Sequence, residues 1–213
     1  MMGTREAPVG ANDRIRPIES YGVKLMSIGF LNPGDKPLVW RGPMLHSVIQ
    51  QFLRGVDWGD LDYLVIDLPP GTGDVALSLI QTAPITGAVI VTTPSDVSLE
   101  DARKAINMFG QVRVPILGLV ENMSYLVVPG LDQRIDVFGH GGGKKTAEQM
   151  DVTFLGELAL NPAVRVGGDS GRPIATADGN DPQVEPFRQL AHKIEARCEE
   201  VLRMAGPKIT VED

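Results

Sequence analysis

Short runs of β-branched and aliphatic residues alternate along this chain with longer segments whose apolar residues recur at helical spacing. Such alternation is typical of α/β domains, in which crossover helices connect parallel strands and cover both faces of the sheet. The sequence therefore predicts an α/β fold with a mostly parallel sheet between two layers of helices. At 213 residues the chain is long enough for one such domain and too short for two ordinary ones.

Five segments have the composition of strands, and two of them are apolar on both faces, as strands at the centre of a covered sheet must be. Those two apolar runs are residues 63–66 and 89–91. The predicted strands are residues 23–30, 63–68, 88–93, 115–120 and 153–158, and the predicted helices are residues 44–53, 74–82, 99–110, 144–150 and 182–204. We expect residues 1–13 to be an unstructured lead-in, residues 14–206 to form the single domain, and residues 207–213 to be a frayed tail.

Charge and composition exclude several classes of protein. The formal net charge of -7 provides no basic surplus for nonspecific binding to nucleic acid or to anionic membranes. No apolar run reaches the length of about 18 residues that a membrane helix needs, and the N-terminal segment lacks the apolar core of a signal peptide. We therefore expect a cytoplasmic protein with neither nucleic acid nor membrane as a partner. The only cysteine, Cys198, lies on the apolar stripe of the last predicted helix, which favours a structural role over a reactive thiol.

The segment that carries the strongest functional signal is DYLVIDLPPGTGD at residues 62–74. It predicts a buried strand that ends in Asp67 and is followed by a glycine-rich turn. Open α/β sheets bind their ligands at the carboxyl ends of the strands. In P-loop nucleoside triphosphatases an aspartate at this place orients the magnesium ion, and the turn after it senses the terminal phosphate. The alternative is that Asp67 only caps a turn and that the glycine-rich segment is a rigid loop.

Five sequence blocks follow one another in an order that is typical of one family. They are WRGPM at residues 40–44, DYLVIDLPPGTGD at 62–74, TTP at 92–94, ENMS at 121–124 and FGHGGG at 138–143. In order and spacing these blocks resemble those of the Mrp/ApbC family, a deviant group of P-loop NTPases related to ParA and MinD. The resemblance runs from about Ile18 to about Ala205. It implies a three-layer α/β sandwich of the P-loop NTPase kind with at least five mostly parallel strands.

The same resemblance implies a homodimeric ATPase that binds a bridging iron-sulfur cluster and passes it to apoproteins, with ATP and magnesium as cofactors. By position, Asp67 is the magnesium-associated aspartate and Gly71 is the switch residue near the terminal phosphate. Asn122 stands where relatives read adenine with an amide, which offers both a donor and an acceptor. The alternative role of Asn122 is to end a strand by bonding its own backbone. Arg41, which precedes a helix opened by Pro43, either supports the nucleotide site or forms a structural salt bridge.

The chain departs from the family at the phosphate-binding loop. Relatives open with a strand and a loop of the GKGGVGKS kind, whose backbone N–H groups and lysines hold the phosphates. No segment before Val23 resembles this strand and loop. Because relatives have this strand near the middle of the sheet, its loss is expected to leave unpaired strand edges and an exposed groove. Residues 139–146, GHGGGKKT, imitate the loop, but Lys144 occupies a position that requires glycine, so we do not expect a working P-loop there.

A second departure concerns the iron-sulfur cluster. Relatives carry Cys-x-x-Cys between the ENMS and FG blocks, and alignment without gaps places Val128 and Leu131 at the two cysteine positions. Apolar side chains cannot ligate iron, and the solitary Cys198 cannot replace the pair. The sequence therefore argues against ordinary cluster binding by this chain. His140 and His192 have no second ligand at a recognisable spacing, so neither predicts a metal site.

Three functional hypotheses follow. The first is an ATP-binding iron-sulfur cluster carrier or assembly factor of which this sequence is an N-terminally truncated form; in-frame DNA that encodes a Gly- and Lys-rich loop before Met1 would support it. The second is a non-hydrolysing pseudo-ATPase that binds intact relatives or client proteins through the same dimer surface. The third is a positioning ATPase of the ParA/MinD group, which the lack of a basic patch and of a Lys/Arg-rich amphipathic C-terminal helix disfavours. Whether the chain hydrolyses ATP stays open.

Overall fold

A computed structural model describes residues 1–11, 14–31, 42–68, 74–128, 133–177 and 181–204. The chain divides into two compact units. The N-terminal unit consists of Met1–Pro84 and Val166–Thr176, and the C-terminal unit of Ile85–Arg165 and Ala177–Asp213. None of the helices in the described ranges combines the length and the apolar character that crossing a membrane requires.

The N-terminal unit contains two short antiparallel strand pairs followed by helices. Strand β1 (Val9–Ala11) pairs with β2 (Arg14–Arg16), and β3 (Ile18–Ser20) pairs with β4 (Val23–Leu25). The helices are α1 (Ile28–Leu31), α2 (Gly42–Gln50) with a π-helical turn at Gln51–Gly55, and α3 (Asp74–Thr82).

The C-terminal unit is built on a parallel sheet of β-branched and aliphatic segments. Strands β5 (Ala88–Thr92), β6 (Ile116–Glu121) and β9 (Phe154–Glu157) lie in the order β5-β6-β9, and β7 (Leu126–Val127) pairs with β8 (Arg134–Ile135) in a separate hairpin. The helices are α4 (Asp96–Gln111), α5 (Gly142–Gln149), α6 (Pro162–Ser170) and α7 (Glu185–Met204), with a 3₁₀ turn at Ile174–Thr176. Of these elements, the part of α6 from Val166 onward and the 3₁₀ turn belong to the N-terminal unit.

Helices cover both faces of the parallel sheet. Alternate residues of β6 point to opposite sides, so neighbouring residues of this strand contact different helices. On one face α5 approaches so closely that a Cβ atom on Gly143 would lie 3.1 Å from Leu119. On the other face Val120 packs against the apolar stripe of α7. Helix α4 lies on the α5 side, where Leu99 touches the start of α5. The three-layer α/β arrangement predicted from the sequence is therefore confirmed in this unit, with three parallel strands in the described residues where at least five were expected.

The prediction of a strand over residues 63–68 is wrong. In the structure residues 61–68 have no regular secondary structure, and Val65 is 90% exposed. A strand needs a neighbour to satisfy its backbone groups, and no strand in the described ranges pairs with this segment. No strand in the described ranges takes the place near the middle of the sheet that the resemblance gives to the family's first strand. In agreement with the expected open edge, β5 is the edge strand of the described sheet, and Val91 is 61% exposed.

Two further predictions need correction near the N-terminus. The strand predicted over residues 23–30 ends at Leu25, because helix α1 begins at Ile28. The Ser27 hydroxyl accepts a hydrogen bond from the Gly29 N–H at 3.2 Å, which is the geometry of a helix N-cap. Residues 1–13, predicted as an unstructured lead-in, contain strand β1.

Candidate functional site

Strands β5 and β6 end side by side at the carboxyl edge of the sheet, where open parallel sheets bind their ligands. Thr92 is the last residue of β5, and Asn122 directly follows β6. The Asn122 backbone N–H donates a hydrogen bond to the Thr92 carbonyl at 2.7 Å, which fixes the two strand ends relative to each other. The TTP and ENMS blocks of the sequence therefore meet at one place.

Glu121, the last residue of β6, is fully buried, with 0% of its surface exposed. Its Oε2 accepts a hydrogen bond from the Gly143 N–H at 2.5 Å, so the start of α5 is bound to the end of β6. Its Oε1 lies 2.5 Å from the Ser124 hydroxyl, which is also 3.0 Å from Glu157 Oε2. The Ser124 hydroxyl is thus within hydrogen-bonding distance of the carboxyl groups of both Glu121 and Glu157. The third family block, FGHGGG, is joined to ENMS by this buried carboxyl group.

The glycines of FGHGGG are explained by packing at the start of α5. Gly141 has a left-handed backbone with φ of 68°, a conformation that glycine adopts without strain. A Cβ atom on Gly142 would lie 2.7 Å from both Leu99 and the Pro94 carbonyl oxygen. Since the Gly143 N–H is already bonded to Glu121, this helix start binds an internal carboxyl group. This use agrees with the expectation that residues 139–146 do not form a phosphate-binding loop.

Replacing Gly143 by alanine is expected to lower the free energy of unfolding by about 1–3 kcal/mol, the usual cost of overpacking. The new methyl group would lie 2.8 Å from Glu121 Oε2 and 3.0 Å from Glu121 Cβ. Gly110→Ala in α4 is the matched control, because a Cβ atom there meets nothing within 4 Å. The control should stabilise the protein by about 0.5–1 kcal/mol through helix propensity. Urea unfolding of both variants measures the difference, and equal effects would contradict the packing argument.

The β7–β8 hairpin is held to the carboxyl edge by Arg134 and Glu157. The Arg134 guanidinium donates to Glu157 in a fork, from one terminal nitrogen to Oε1 at 3.0 Å and from the other to Oε2 at 3.2 Å. It also stacks on the Tyr125 ring, 3.7 Å from the ring centroid. Forked pairs of this kind fix orientation as well as distance. The hairpin therefore has a defined attachment to the end of β9.

The contact between Arg134 and Glu157 shifts the pKa of both side chains. Partial burial raises the pKa of Glu157, but the hydrogen bonds from Arg134 and Ser124 and the charge of Arg134 outweigh it, so the net pKa lies below the ordinary value of 4.5. The hydrogen bond to Glu157 in turn raises the pKa of Arg134. His140 lies against the same group, with Nδ1 3.3 Å from an Arg134 nitrogen and 3.9 Å from Asp136 Oδ2.

A cavity of about 430 Å³ lies beside the carboxyl edge. It is lined by the turn between β5 and α4, by α4 itself, by the glycine-rich loop and by α5. Its cationic side chains include Arg103 and Lys145. The Arg103 guanidinium is already engaged, since it donates to Thr146 Oγ1 at 3.3 Å and to Glu100 Oε1 at 2.7 Å.

The site residues predicted from the sequence lie in different parts of the chain. Asp67 is exposed and belongs to the N-terminal unit. Asn122 belongs to the C-terminal unit, and its Oδ1 accepts a hydrogen bond from the Met123 N–H at 2.9 Å, which is the backbone-bonding arrangement named above as the alternative. Val128 is half-buried directly after β7. The remaining predicted residues, Gly71, Arg41 and Leu131, lie outside the described residues.

The single cysteine lies on the buried side of α7. Cys198 is buried in α7, and this burial raises the pKa of its thiol. The described ranges contain no group of three or more His, Cys, Asp or Glu side chains arranged to hold a metal ion. His192 lies on the surface of α7, where Nδ1 is 3.6 Å from Glu195 Oε2.

Sequence reasoning missed the residues that organise this edge, namely Glu121, Arg134 and Glu157. For Glu121 a signal existed, because a carboxyl group that closes an otherwise apolar strand is expected to have an internal partner. No sequence signal connects Arg134 with Glu157, since these residues are distant along the chain and meet only through the fold.

Comparison with known proteins assigns the chain to a family. A ParA family profile, described as the NUBPL iron-transfer P-loop NTPase, matches residues 1–195. The iron-sulfur cluster carrier protein of Deinococcus radiodurans is 51% identical over 196 residues, which are 91% of this chain and 55% of that protein. The iron-sulfur cluster transfer protein NUBPL of Dictyostelium discoideum is 48% identical over 178 residues, 84% of this chain and 55% of that protein. The chain thus spans about half the length of the curated relatives it matches.

Solved structures agree with this assignment. A nucleotide-binding protein from Archaeoglobus fulgidus, in complex with ADP, has a TM-score of 0.66 and 36% identity, and the match covers 78% of this chain and 65% of that chain. The cell division ATPase MinD of Pyrococcus furiosus has a TM-score of 0.51 and 24% identity over 73% of this chain and 59% of that chain, a likeness of fold alone. These matches confirm the P-loop NTPase fold, and the family profile confirms the predicted relation to ParA. Because the family profile matches residues 1–195 of the 213, the chain belongs to the NUBPL iron-transfer P-loop NTPases of the ParA family.

Proposed function

We propose that this chain functions in nucleotide-dependent transfer of iron-sulfur clusters to apoproteins. The observation that carries the proposal is the meeting of three family blocks at the carboxyl edge, through the bonds from Asn122 to Thr92 and from Gly143 to Glu121. The names of the relatives, which are iron-sulfur cluster carrier and transfer proteins, give the cargo. A homodimer in the cytoplasm that serves apo iron-sulfur clients is the form in which we expect it to act.

Asn122 is the proposed adenine-reading residue. It directly follows β6 at the ligand-binding edge, and its side chain is half-exposed. The bond from Met123 uses one lone pair of Oδ1, so this oxygen keeps a second acceptor site and the amide nitrogen keeps its donors for a base. The residue therefore fits a base edge while it also orders its own turn.

The residues on the phosphate side of the nucleotide are assigned from their positions in the sequence blocks only. We assign Asp67 to the magnesium ion, Gly71 to the switch near the terminal phosphate and Arg41 to support of the nucleotide site. The exposed carboxylate of Asp67 is a ligand type that magnesium accepts, usually through water. When bound, the ion would neutralise charge on the phosphates. At the glycine-rich start of α5 the Gly143 N–H already donates to Glu121, so this group is not available to a phosphate.

A second function, a non-hydrolysing pseudo-ATPase that binds other proteins, is favoured by one specific observation. Residues 61–66 expose a run of large apolar side chains, namely Leu61, Tyr63, Leu64, Val65 and Ile66. Contiguous exposed apolar surface is typical of protein-protein contact sites. The two functions differ in whether this chain binds ATP at all.

Titration of the 213-residue chain with magnesium-ATP, followed by NMR chemical shifts, separates the two functions. We expect weak binding, in the millimolar range, because the described ranges contain no phosphate-binding loop. We also expect a preference for ATP over GTP of about tenfold from hydrogen bonds at Asn122. Asn122→Ala should remove this preference, whereas Asn107→Ala on the exposed side of α4 should keep it. Equal affinity for the two nucleotides would count against the adenine assignment, and no binding of either nucleotide would favour the pseudo-ATPase. Micromolar affinity for ATP would show that the chain has a phosphate-binding site after all.

A further inference from the structure

The cavity beside α4 and α5 has the size and the lining of a small-molecule site. Its volume of about 430 Å³ falls within the range of about 300–1,000 Å³ that is usual for ligand pockets. Its apolar wall includes Leu99 and Phe138, and Arg103 and Lys145 supply two cationic side chains. Asn122, the proposed adenine-reading residue, does not line the cavity. The cavity is therefore separate from the proposed contact with the base.

The Arg103 guanidinium is held in place and still has unused donors. One of its terminal nitrogens donates to Thr146 Oγ1 at 3.3 Å, and the other donates to Glu100 Oε1 at 2.7 Å. A guanidinium has more N–H groups than these two bonds use, and the others have no acceptor in the described part of the chain. A ligand that enters the cavity can therefore bind to a guanidinium whose position is already fixed.

Thr146 adds a buried hydroxyl to the same cavity. The residue lines the cavity although only 2% of its surface is exposed. Its oxygen accepts the bond from Arg103, while its hydroxyl proton has no acceptor among the residues that the structure describes. Buried hydroxyl groups usually find an acceptor for this proton. The Thr146 proton is thus available to an oxygen atom of a ligand inside the cavity.

The remaining charges of the lining leave a cationic end to the cavity. Lys145 is exposed, and its ammonium group forms no ion pair within the described ranges. The acidic residue of the lining, Asp96, starts α4 and lies about two helical turns, or about 10 Å, before Arg103. His140 lies 3.3 Å from an Arg134 nitrogen outside the lining. An anion would therefore bind at the end of the cavity that is far from Asp96.

The carboxylate of Glu100 shows which kind of anion the Arg103 guanidinium accepts. The hydrogen bond and the charge of Arg103 together hold the pKa of Glu100 below its ordinary value. Glu100 does not line the cavity, and its side chain is 61% exposed. Exposed pairs at this helical spacing are weak, so Glu100 is not a strong competitor for the guanidinium. A second carboxylate can therefore reach Arg103 from the cavity.

We propose that this cavity binds a small organic acid through its carboxylate group, with Arg103, Lys145 and Thr146 as the binding residues. A planar guanidinium and a neighbouring hydroxyl match the oxygen atoms of a carboxylate. Leu99 and Phe138 give the carbon skeleton of the acid an apolar contact, which inorganic phosphate cannot use. The site goes beyond nucleotide-dependent cluster transfer, since none of these residues is assigned to the nucleotide or to the cluster.

Titration of the isotope-labelled 213-residue chain with sodium succinate, followed by NMR at constant ionic strength, tests the proposal. We expect saturable shifts of the Leu99 and Arg103 amides and of the amides of residues 142–149, with a Kd of about 1–5 mM. Inorganic phosphate, titrated in the same way, should bind at least about fivefold more weakly, because it lacks the apolar contact.

Two neighbouring lysines of α5 provide a matched pair of variants. Lys145→Gln removes a cation of the lining and should weaken succinate binding by about five- to tenfold. Lys144→Gln removes the same charge from the preceding residue, which is also exposed but does not line the cavity, and should change the Kd by less than about twofold. Arg103→Lys keeps the charge without the planar fork and should weaken binding by about fivefold.

Several results would overturn the inference. They are the absence of saturable shifts up to about 50 mM succinate, phosphate binding as tight as succinate binding, equal losses in Lys144→Gln and Lys145→Gln, or full affinity in Arg103→Lys. Both lysine side chains are exposed, so their variants should fold as the parent does. None of these measurements uses ATP or an iron-sulfur cluster. Their failure is therefore distinct from failure of the proposed function.

Discussion

Glu121→Ala is expected to lower the free energy of unfolding by about 3–5 kcal/mol, since it leaves a cavity and buried polar groups without partners. Glu121 is fully buried between the end of β6 and the start of α5. Alanine would leave the Gly143 N–H without an acceptor and would take the nearer of two carboxyl partners from Ser124. Because single domains are stable by only about 5–15 kcal/mol, much of the chain should be unfolded under mild denaturing conditions.

Two further variants separate the effect of the buried Glu121 hydrogen bonds from the effect of removing side-chain volume. Glu121→Gln keeps the shape and one acceptor oxygen, so it should cost no more than about half as much, as one hydrogen bond is worth about 1 kcal/mol. Glu148→Ala, on the exposed side of α5, should stay within about 0.5 kcal/mol of the parent. Urea unfolding followed by circular dichroism gives the three values. An Ala variant as stable as the parent would mean that the Glu121 contacts contribute nothing.

The part of the fold that could be predicted from the sequence is the part fixed by local periodicity. Strand β6 is buried along most of its length and reads as an apolar run, and α4 places Leu99, Ala102, Ile106 and Phe109 on one face at helical spacing. The segment 63–68 has the same apolar character and yet forms no strand. Apolar character predicts that a segment prefers to be buried, but a strand also needs a paired neighbour, which depends on the rest of the chain.

The candidate site shows the same division. Asn122 could be placed at the carboxyl edge because it follows an obvious strand, and the structure puts it there. The forked pair between Arg134 and Glu157 could not be predicted, because it needs a hairpin whose strands are two residues long and have almost no periodicity. The glycines of FGHGGG imitate a phosphate-binding loop, since a helix start that donates to a carboxyl group of its own protein has a composition similar to one that binds phosphate.

Introduction of the missing cysteine pair is expected to produce cluster binding where the parent has none. The parent chain, reconstituted anaerobically with ferrous iron and sulfide, should show no cluster absorbance, because Val128 and Leu131 offer no ligand atoms. Val128→Cys with Leu131→Cys restores the Cys-x-x-Cys spacing of the relatives directly after β7. Two such chains would supply four thiolates to a shared cluster. Ultraviolet-visible spectra and iron content after gel filtration measure the gain.

Geometry, and not thiol content alone, should decide whether the cluster forms. Val97→Cys with Glu100→Cys adds a pair at the same spacing on the exposed face of α4, and it should bind iron only loosely and lose it on gel filtration. A stable cluster on the parent chain would show that other ligands serve. No cluster on the variant with Val128→Cys and Leu131→Cys would remove the support for iron-sulfur transfer by this chain and leave the pseudo-ATPase as the better account of its exposed apolar surface.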